Sequence, residues 1–350
     1  MKKQMKKPKE IKFPSELRFD LASKDWVVIA TGRAKKPEMF KKEKGAELRS
    51  PEKDCFFCEI NSQKTPTIIF SHGKKVFLDL NGKVPDNWTA VSIPNKYPAF
   101  VPAQELRQKI EGGIYQTVNA VGYHEVVITR DHDKHFALMT TEEVKEAIDI
   151  YQARSLELAK KPFVNYVAVF HNHGKEAGAS VYHPHSQIIT IPMIDPDLKK
   201  ALFNSQRHFK KYGKCLYCEM LKWERKVKKR IILENKDFVA ICPFASKAAF
   251  QIIISPKKHS AYFDQITEKQ KKNFAQILKT SFYKIYKGLN NPSYNFYIHT
   301  APCNGKDYSS YHWHLTILPK TSIYAGFELG AGIEVSTIEP EKAAVYLRQQ

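Results

Sequence analysis

The sequence predicts an α+β fold made of two tandem copies of one strand-rich module, each a mostly antiparallel sheet with helices, joined within the chain as a pseudo-dimer. Three observations predict it. The order of motifs repeats: Cys55-Phe56-Phe57-Cys58 is mirrored by Cys215-Leu216-Tyr217-Cys218, and His183-Pro184-His185 by His312-Trp313-His314. The spacing repeats as well, since Thr140 lies eight residues after His132 and Thr267 eight after His259, each opening a helical stretch. The apolar runs between these landmarks are short, β-branched and bounded by turn residues, as strands are.

In chain order, residues 18–31 form a strand pair whose stronger half is Trp26-Val27-Val28-Ile29-Ala30. A basic turn follows, Gly32-Arg33-Ala34-Lys35-Lys36-Pro37, and then a charged loop over 41–54. Residues 76–80 and 88–93 read as strands around the Asn81-Gly82 turn and a loop holding Pro85. Residues 125–129 are a strand leading to His132, and Thr140 or Thr141 caps a helix over 142–160. A strand at 165–170 and a polar, glycine-bearing loop at 172–180 precede the H-x-H segment. In the second copy, strand 238–243 mirrors 88–94, and 251–254 leads to His259 as 125–128 leads to His132. A helix over 268–287, a strand at 295–298 and the closing stretch 312–319 complete it. The boundaries are a basic flexible tail at 1–14, a first module at 15–195 and a second at 196–350.

Composition narrows the function. With 350 residues, 43% of them hydrophobic, the chain buries a sizeable core. No apolar run is long enough to span a membrane, and the basic N-terminus has no apolar segment behind it, so a cytoplasmic protein is expected. The formal charge of +20 favours phosphate-bearing partners, nucleotides or nucleic acid. Lysine runs such as 226–230 and 269–272 read as solvated faces. Four of the six cysteines form two C-x-x-C pairs, which in a reducing compartment point to metal. Cys242 and Cys303 read as small core residues.

The chemistry centres on the stretch from Tyr182 to Pro192. Its alternation places His183, His185 and Gln187 on one face of a strand entering the sheet. Two imidazoles and an amide sharing a face are poorly explained as core, because buried polar groups need partners. Two thiolates and two imidazoles make a closed, structural zinc site. One set would be Cys55, Cys58, His132 and His183, the other Cys215, Cys218, His259 and His312, giving two zinc ions per chain. His124, His135, His299 and His314 are alternative ligands. With His183 held by metal, His185 is placed to attack phosphorus, provided its other ring nitrogen donates to an acceptor such as a backbone carbonyl. Gln187 can donate to a phosphoryl oxygen as charge develops, and Ser180 with the backbone amides of Gly178, Ala179 and Ser180 can hold a β-phosphate. Arg33 and Lys36 are candidates for the remaining pyrophosphate charge. No P-loop or G-x-G-x-x-G is present. A zinc-stabilised nucleic-acid-binding protein is the reading from another class.

These residues resemble the histidine-triad superfamily and, within it, the galactose-1-phosphate uridylyltransferase family, over almost the whole chain from Arg18 to about Arg348. The most specific matches are Gly32-Arg33-Ala34-Lys35-Lys36-Pro37, Phe170-His171-Asn172-His173-Gly174, Gly178-Ala179-Ser180, His183-Pro184-His185-Ser186-Gln187 and Ala325-Gly326-Phe327-Glu328. The resemblance implies that His185 becomes nucleotidylated, that His183 is a zinc ligand whose carbonyl orients His185, and that Gln187 stabilises the transferring group. It also implies that Asn95 and Asn172 line the nucleotide and phosphate site, with Phe327 and Glu328 contacting substrate. The implied reaction is ping-pong: UMP passes from UDP-glucose to His185 and then to galactose 1-phosphate, in a homodimer whose sites borrow C-terminal residues from the neighbouring subunit. Nucleic acid is not an expected partner on this reading. The thiolates of Cys215 and Cys218 and the segment 326–333 are more like the plant-type ADP-glucose phosphorylase branch, which makes phosphorolysis of ADP-sugars the alternative. Glu334 falls near a sugar-contacting Gln of the uridylyltransferases, and Ser322 near a phosphate-binding Lys.

Overall fold

The computed structural model describes residues 15–33, 36–41 and 50–350. The expected tail at 1–14, the middle of the basic turn at 34–35 and most of the charged loop, 42–49, lie outside the described residues, as does the side chain of Arg33.

In chain order the strands are β1 (Glu16–Phe19), β2 (Trp26–Ile29), β3 (Ile68–Ser71), β4 (Lys74–Val76), β5 (Ala90–Pro94), β6 (Gln108–Glu111), β7 (Tyr115–Val118) and β8 (His124–Thr129). Helix α1 (Thr141–Leu158) leads to β9 (Tyr166–His173) and β10 (His185–Ile191). Then come helices α2 (Pro196–Tyr212) and α3 (Leu216–Val227), and strands β11 (Ile231–Glu234), β12 (Phe238–Ile241) and β13 (Ile252–Pro256). Helix α4 (Glu268–Leu289) precedes β14 (Tyr294–His299) and β15 (His314–Pro319). The chain closes with α5 (Gly326–Ala331), β16 (Val335–Ser336) and α6 (Pro340–Arg348).

Eleven strands form one sheet in the order β11-β12-β13-β15-β14-β9-β10-β8-β5-β3-β4. Every pairing in it is antiparallel. The α+β class is thus as expected. From the β14–β9 junction the order runs outward as β9, β10, β8, β5, β3 on one side and β14, β15, β13, β12, β11 on the other. Helices α1 and α4 pack on one face of this sheet and bury one large core with it. Both start on a capping box, Thr140 with Glu143 and Thr267 with Gln270, which satisfies orphan N–H groups at their first turns. A second apolar cluster, including Phe57, Trp88, Val91, Val126 and Ile128, covers the opposite face beneath the first C-x-x-C.

Several expected elements need correction. The segment at 76–80 is not the strand: β4 ends at Val76 and pairs with β3 across a His72-Gly73 turn. The turn that follows is organised locally by the Asp79 carboxylate, which accepts from the backbone of Asn81 and Lys83. Helices α2 and α3 and the β6–β7 hairpin were not expected. Helix α2 carries legible signals: Asp195 caps it, Pro196 occupies its first position, and Gly213 ends it at φ 66°. Helix α3 starts directly after Cys215, so the second C-x-x-C sits on a helix where the first sits in a turn.

The two long helices are tied by charge. Lys271 Nζ lies 2.6 Å from Asp149 Oδ1, with side chains 5% and 7% exposed. Lys145 reaches the other Asp149 oxygen at 2.8 Å. Removing one partner of a buried ion pair leaves the other charge uncompensated. Asp149→Ala is therefore expected to lower unfolding free energy by about 3 kcal/mol in urea titrations. A loss below about 1 kcal/mol would show that this contact does not clamp the helices.

Candidate active site

Strand β10 begins at His185, because Pro184 has no N–H to give to a ladder. His183 is therefore not a strand residue, as its alternation with His185 had suggested; it stands at the mouth of the strand. On β10, Ser186 and Ile188 face the helices: Ser186 Oγ lies 2.5 Å from Tyr151 Oη of α1, and Ile188 belongs to the main core. His185 and Gln187 take the opposite face.

The His185 ring is held by its own neighbourhood. Its Nδ1 lies 2.9 Å from the His183 carbonyl, an acceptor, so Nδ1 carries the proton. Burial pushes the imidazole below its ordinary pKa, partly offset by that hydrogen bond. The ring is thus neutral, with its lone pair on Nε2. Among the described residues no hydrogen-bond partner faces Nε2, and the residue as a whole is 8% exposed. Phe57 packs against the ring with centroids 5.1 Å apart.

His183 is pinned at both nitrogens. Its Nε2 donates to the Thr129 carbonyl at 2.7 Å, and its Nδ1 faces Cys55 Sγ at 3.6 Å and Cys58 Sγ at 3.4 Å. His132 is arranged alike, with Nε2 on the Ser50 carbonyl at 2.8 Å and Nδ1 3.3 Å from Cys58 Sγ. The second set repeats the device. His312 Nε2 meets the Pro256 carbonyl at 2.9 Å and His259 Nε2 the Ser309 carbonyl at 2.8 Å. Both turn Nδ1 toward Cys218 Sγ, at 3.3 and 3.4 Å. In each group one ligand atom per residue lies within 4.8 Å of all the others, so Cys55, Cys58, His132 and His183 could hold one metal ion and Cys215, Cys218, His259 and His312 another. The alternative ligands His124, His135, His299 and His314 are in neither group.

The donor sets fit a thiophilic cation. Four imidazoles present unprotonated Nδ1 atoms because a carbonyl fixes each Nε2–H, the outer-shell arrangement that orients metal-binding histidines. The thiols point the same way. Cys58 is pushed up to about 12 by burial and by the neighbouring Cys55. Cys215 is drawn down to about 4, chiefly by a hydrogen bond from Cys218, while Cys218 is raised. A bound cation would let both sulfurs of each pair ionise side by side.

The remaining candidates fall in several places. Asn172 on β9 lies level with His185, one residue beyond the Ser186–His171 pair, and its Oδ1 accepts from Asn295 Nδ2 at 2.8 Å. Gln187 Oε1 lies 2.8 Å from His124 Nε2, and Asn95 Nδ2 lies 3.0 Å from the same nitrogen. Ser180 is exposed. The loop before it needs its glycines: Gly174 has φ 79° with Ser293 Oγ 2.3 Å from where a Cβ would stand, and Gly178 has φ 82°. The amides of Gly178 and Ala179, expected to face a phosphate, are already engaged, donating to the carbonyls of Lys175 and Gly174 at 3.0 and 3.2 Å. Of the three amides proposed for this loop, that of Ser180 has no such internal bond among the described residues, and the Ser180 side chain is exposed. Arg33 closes a short turn at 31–33, and Lys36 is exposed. Phe327 is exposed on α5, where the Glu328 carboxylate accepts from its own turn at Ala325 N. Glu334 is held inside this chain by Lys247 Nζ at 3.1 Å.

A cavity of about 1190 Å³ lies over the C-terminal half of the sheet. Asn172, His299 and His314 line it; His185 does not. His124 is the residue that the sequence reading misplaced most, among possible metal ligands. Its place beside Gln187 follows from strand pairing that no local pattern reveals.

Comparison with known proteins agrees with this geometry. A family model described as galactose-1-phosphate uridyl transferase, N-terminal domain, matches residues 4–194, and one for a domain of unknown function, DUF4921, matches residues 119–348. The chain is 32% identical to an ADP-glucose phosphorylase of Arabidopsis thaliana, covering 95% of this chain and 92% of that protein. It is 26% identical to a galactose-1-phosphate uridylyltransferase of Thermotoga maritima, covering 95% and 98%. Among solved structures, an Arabidopsis thaliana ADP-glucose phosphorylase with bound ADP-glucose superposes with TM-score 0.77 at 28% identity, covering 96% of this chain and 99% of that one. Fold, site and relatives together define an enzyme, a nucleotidyltransferase of the histidine-triad superfamily. The chain belongs to the galactose-1-phosphate uridyl transferase family.

Cys55→Ala is expected to lower metal content by one ion per chain and the melting temperature with it, because metal binding contributes folding free energy. Unchanged metal by elemental analysis would refute that assignment. Cys215→Ser is expected to lose stability while keeping most turnover; a collapse of turnover at normal melting would contradict the separation.

Proposed function

We propose that the enzyme moves a nucleotidyl group from a nucleotide-sugar to a phosphate-bearing acceptor through a covalent intermediate on His185. The observation that carries this reading is the 2.9 Å hydrogen bond from His185 Nδ1–H to the His183 carbonyl. It fixes one tautomer and leaves Nε2 as the nucleophile. Nε2 attacks the α-phosphorus, the P–N bond forms, and the bond to the bridging oxygen breaks, releasing sugar 1-phosphate. The acceptor oxygen then attacks the same phosphorus and returns the imidazole. The Gln187 amide donates to the phosphoryl oxygens as charge builds. Asn95, Asn172 and Ser180 hold the nucleotide and its phosphates, with Arg33 and Lys36 for the remaining charge.

The ions are assigned as zinc, one held by Cys55, Cys58, His132 and His183 and the other by Cys215, Cys218, His259 and His312. The first would make the His183 backbone a rigid support for His185. Residues 15–195 form the catalytic module and 196–350 its structural copy, an assignment supported by the mirrored strand order. In a homodimer, Phe327 and Glu328 on the exposed α5 would reach the partner's site.

For the substrate, phosphorolysis of an ADP-sugar is supported by the Cys215–Cys218 donor set and by the 32% identity to an ADP-glucose phosphorylase. UMP transfer from UDP-glucose to galactose 1-phosphate is the second reading, supported by the N-terminal family match and the Thermotoga maritima relative. Steady-state assays with ADP-glucose plus phosphate and UDP-glucose plus galactose 1-phosphate separate them. The productive pair should give parallel double-reciprocal lines, and His185→Ala should lose at least about 10⁴-fold in kcat. Converging lines, or a His185→Ala enzyme with near-normal turnover, would exclude the covalent route.

A further inference from the structure

We infer that His124 is the positioning residue that sets the working orientation of the Gln187 amide. This rests on the nucleotidyl-transfer reading above and deepens it. His124 opens β8, paired with Ile189, while Val126 pairs with Gln187, so His124 and Gln187 are diagonal neighbours. The next residue, Glu125, turns to the helix face. There Arg154 grips both of its carboxylate oxygens at 2.6 and 2.8 Å, and Ser92 Oγ donates to it at 2.9 Å. The backbone that presents His124 is thus fixed from behind.

The tautomer follows from the chain. The backbone N–H of Ala99 donates to His124 Nδ1 at 3.1 Å, so Nδ1 holds a lone pair. The proton of the neutral ring is on Nε2, and Nε2–H donates to Gln187 Oε1 at 2.8 Å. Asn95 cannot compete for this proton. Its Oδ1 accepts from Tyr97 N–H at 2.8 Å, which turns its own NH₂ toward His124. An amide has one accepting end and one donating end. With the oxygen of Gln187 committed to His124, its two N–H bonds form the free end, on the face shared with His185. Turned the other way, the amide would set a carbonyl oxygen against an anionic phosphoryl group. His124 thereby makes Gln187 a donor before substrate arrives.

The test is a single-turnover measurement of nucleotidyl transfer to the enzyme, using whichever of ADP-glucose and UDP-glucose labels the wild type. His124→Phe keeps the ring volume and removes both hydrogen bonds. It should slow the step about tenfold, the equivalent of one net hydrogen bond, with donor KM changed less than about threefold. His124→Gln, which can still donate to Gln187, should recover most of the rate. Gln187→Ala should lose about 10²-fold, and adding His124→Phe to it should cost nothing more, because His124 acts only through Gln187. A wild-type rate in His124→Phe, or losses that multiply in the double variant, would overturn the assignment. If His124→Phe fails to fold, ¹⁵N NMR of the wild-type imidazoles decides: an Nε2–H tautomer at His124 supports the proposal and an Nδ1–H tautomer overturns it. A wild type that takes label from neither nucleotide-sugar defeats the transfer reading itself, whereas a labelled wild type with an unaffected His124→Phe defeats only this inference.

Discussion

The site depends on one carbonyl. The His183 oxygen accepts from His185 Nδ1, and His183 is immobilised through both ring nitrogens, by the Thr129 carbonyl on one side and two cysteine sulfurs on the other. A histidine whose backbone oxygen aims its neighbour must not move, and a cross-link through a metal-binding group holds it better than packing alone. The Cys55, Cys58, His132 and His183 group and the His185 ring are therefore one mechanical unit. Pro184 adds to it by keeping the segment out of the ladder until His185.

The same lock recurs in the other half. His314 Nδ1 lies 3.1 Å from the His312 carbonyl, and His312 is fixed by Pro256 and Cys218 as His183 is by Thr129 and its cysteines. What differs is the company. Thr316 stands where the first half has Gln187, and on β14 His299 faces His314 with ring centroids 4.6 Å apart. Beside His185, by contrast, stands the Gln187 amide, whose oxygen faces His124 on the neighbouring strand.

Much of this was legible in the sequence because it is periodic or repeated. Alternation placed His185 and Gln187 on one face, and the doubled order of Cys, Cys, His and His picked out two sets that the fold gathers. The α+β class followed from short strands between two capped helices. What stayed hidden depends on partners remote in sequence. The amides of Gly178 and Ala179 read as phosphate donors until the turn itself engages them. Glu334 finds Lys247, and His124 finds Ala99 and Gln187, only once strands are paired. Helix α3 was obscured by the repeat itself. The mirrored C-x-x-C motifs gave no sign that the first lies in a turn and the second on a helix.

The most direct test of the central claim is to find the bond itself. The enzyme, exposed briefly to ADP-glucose or UDP-glucose and quenched in alkali, is digested and its peptides are weighed. The account predicts one nucleotidyl group on the peptide that contains His185, lost on mild acid treatment as a P–N linkage would be. A nucleotidyl group on any other residue, or an unmodified His185 peptide under conditions where sugar phosphate is released, would contradict it.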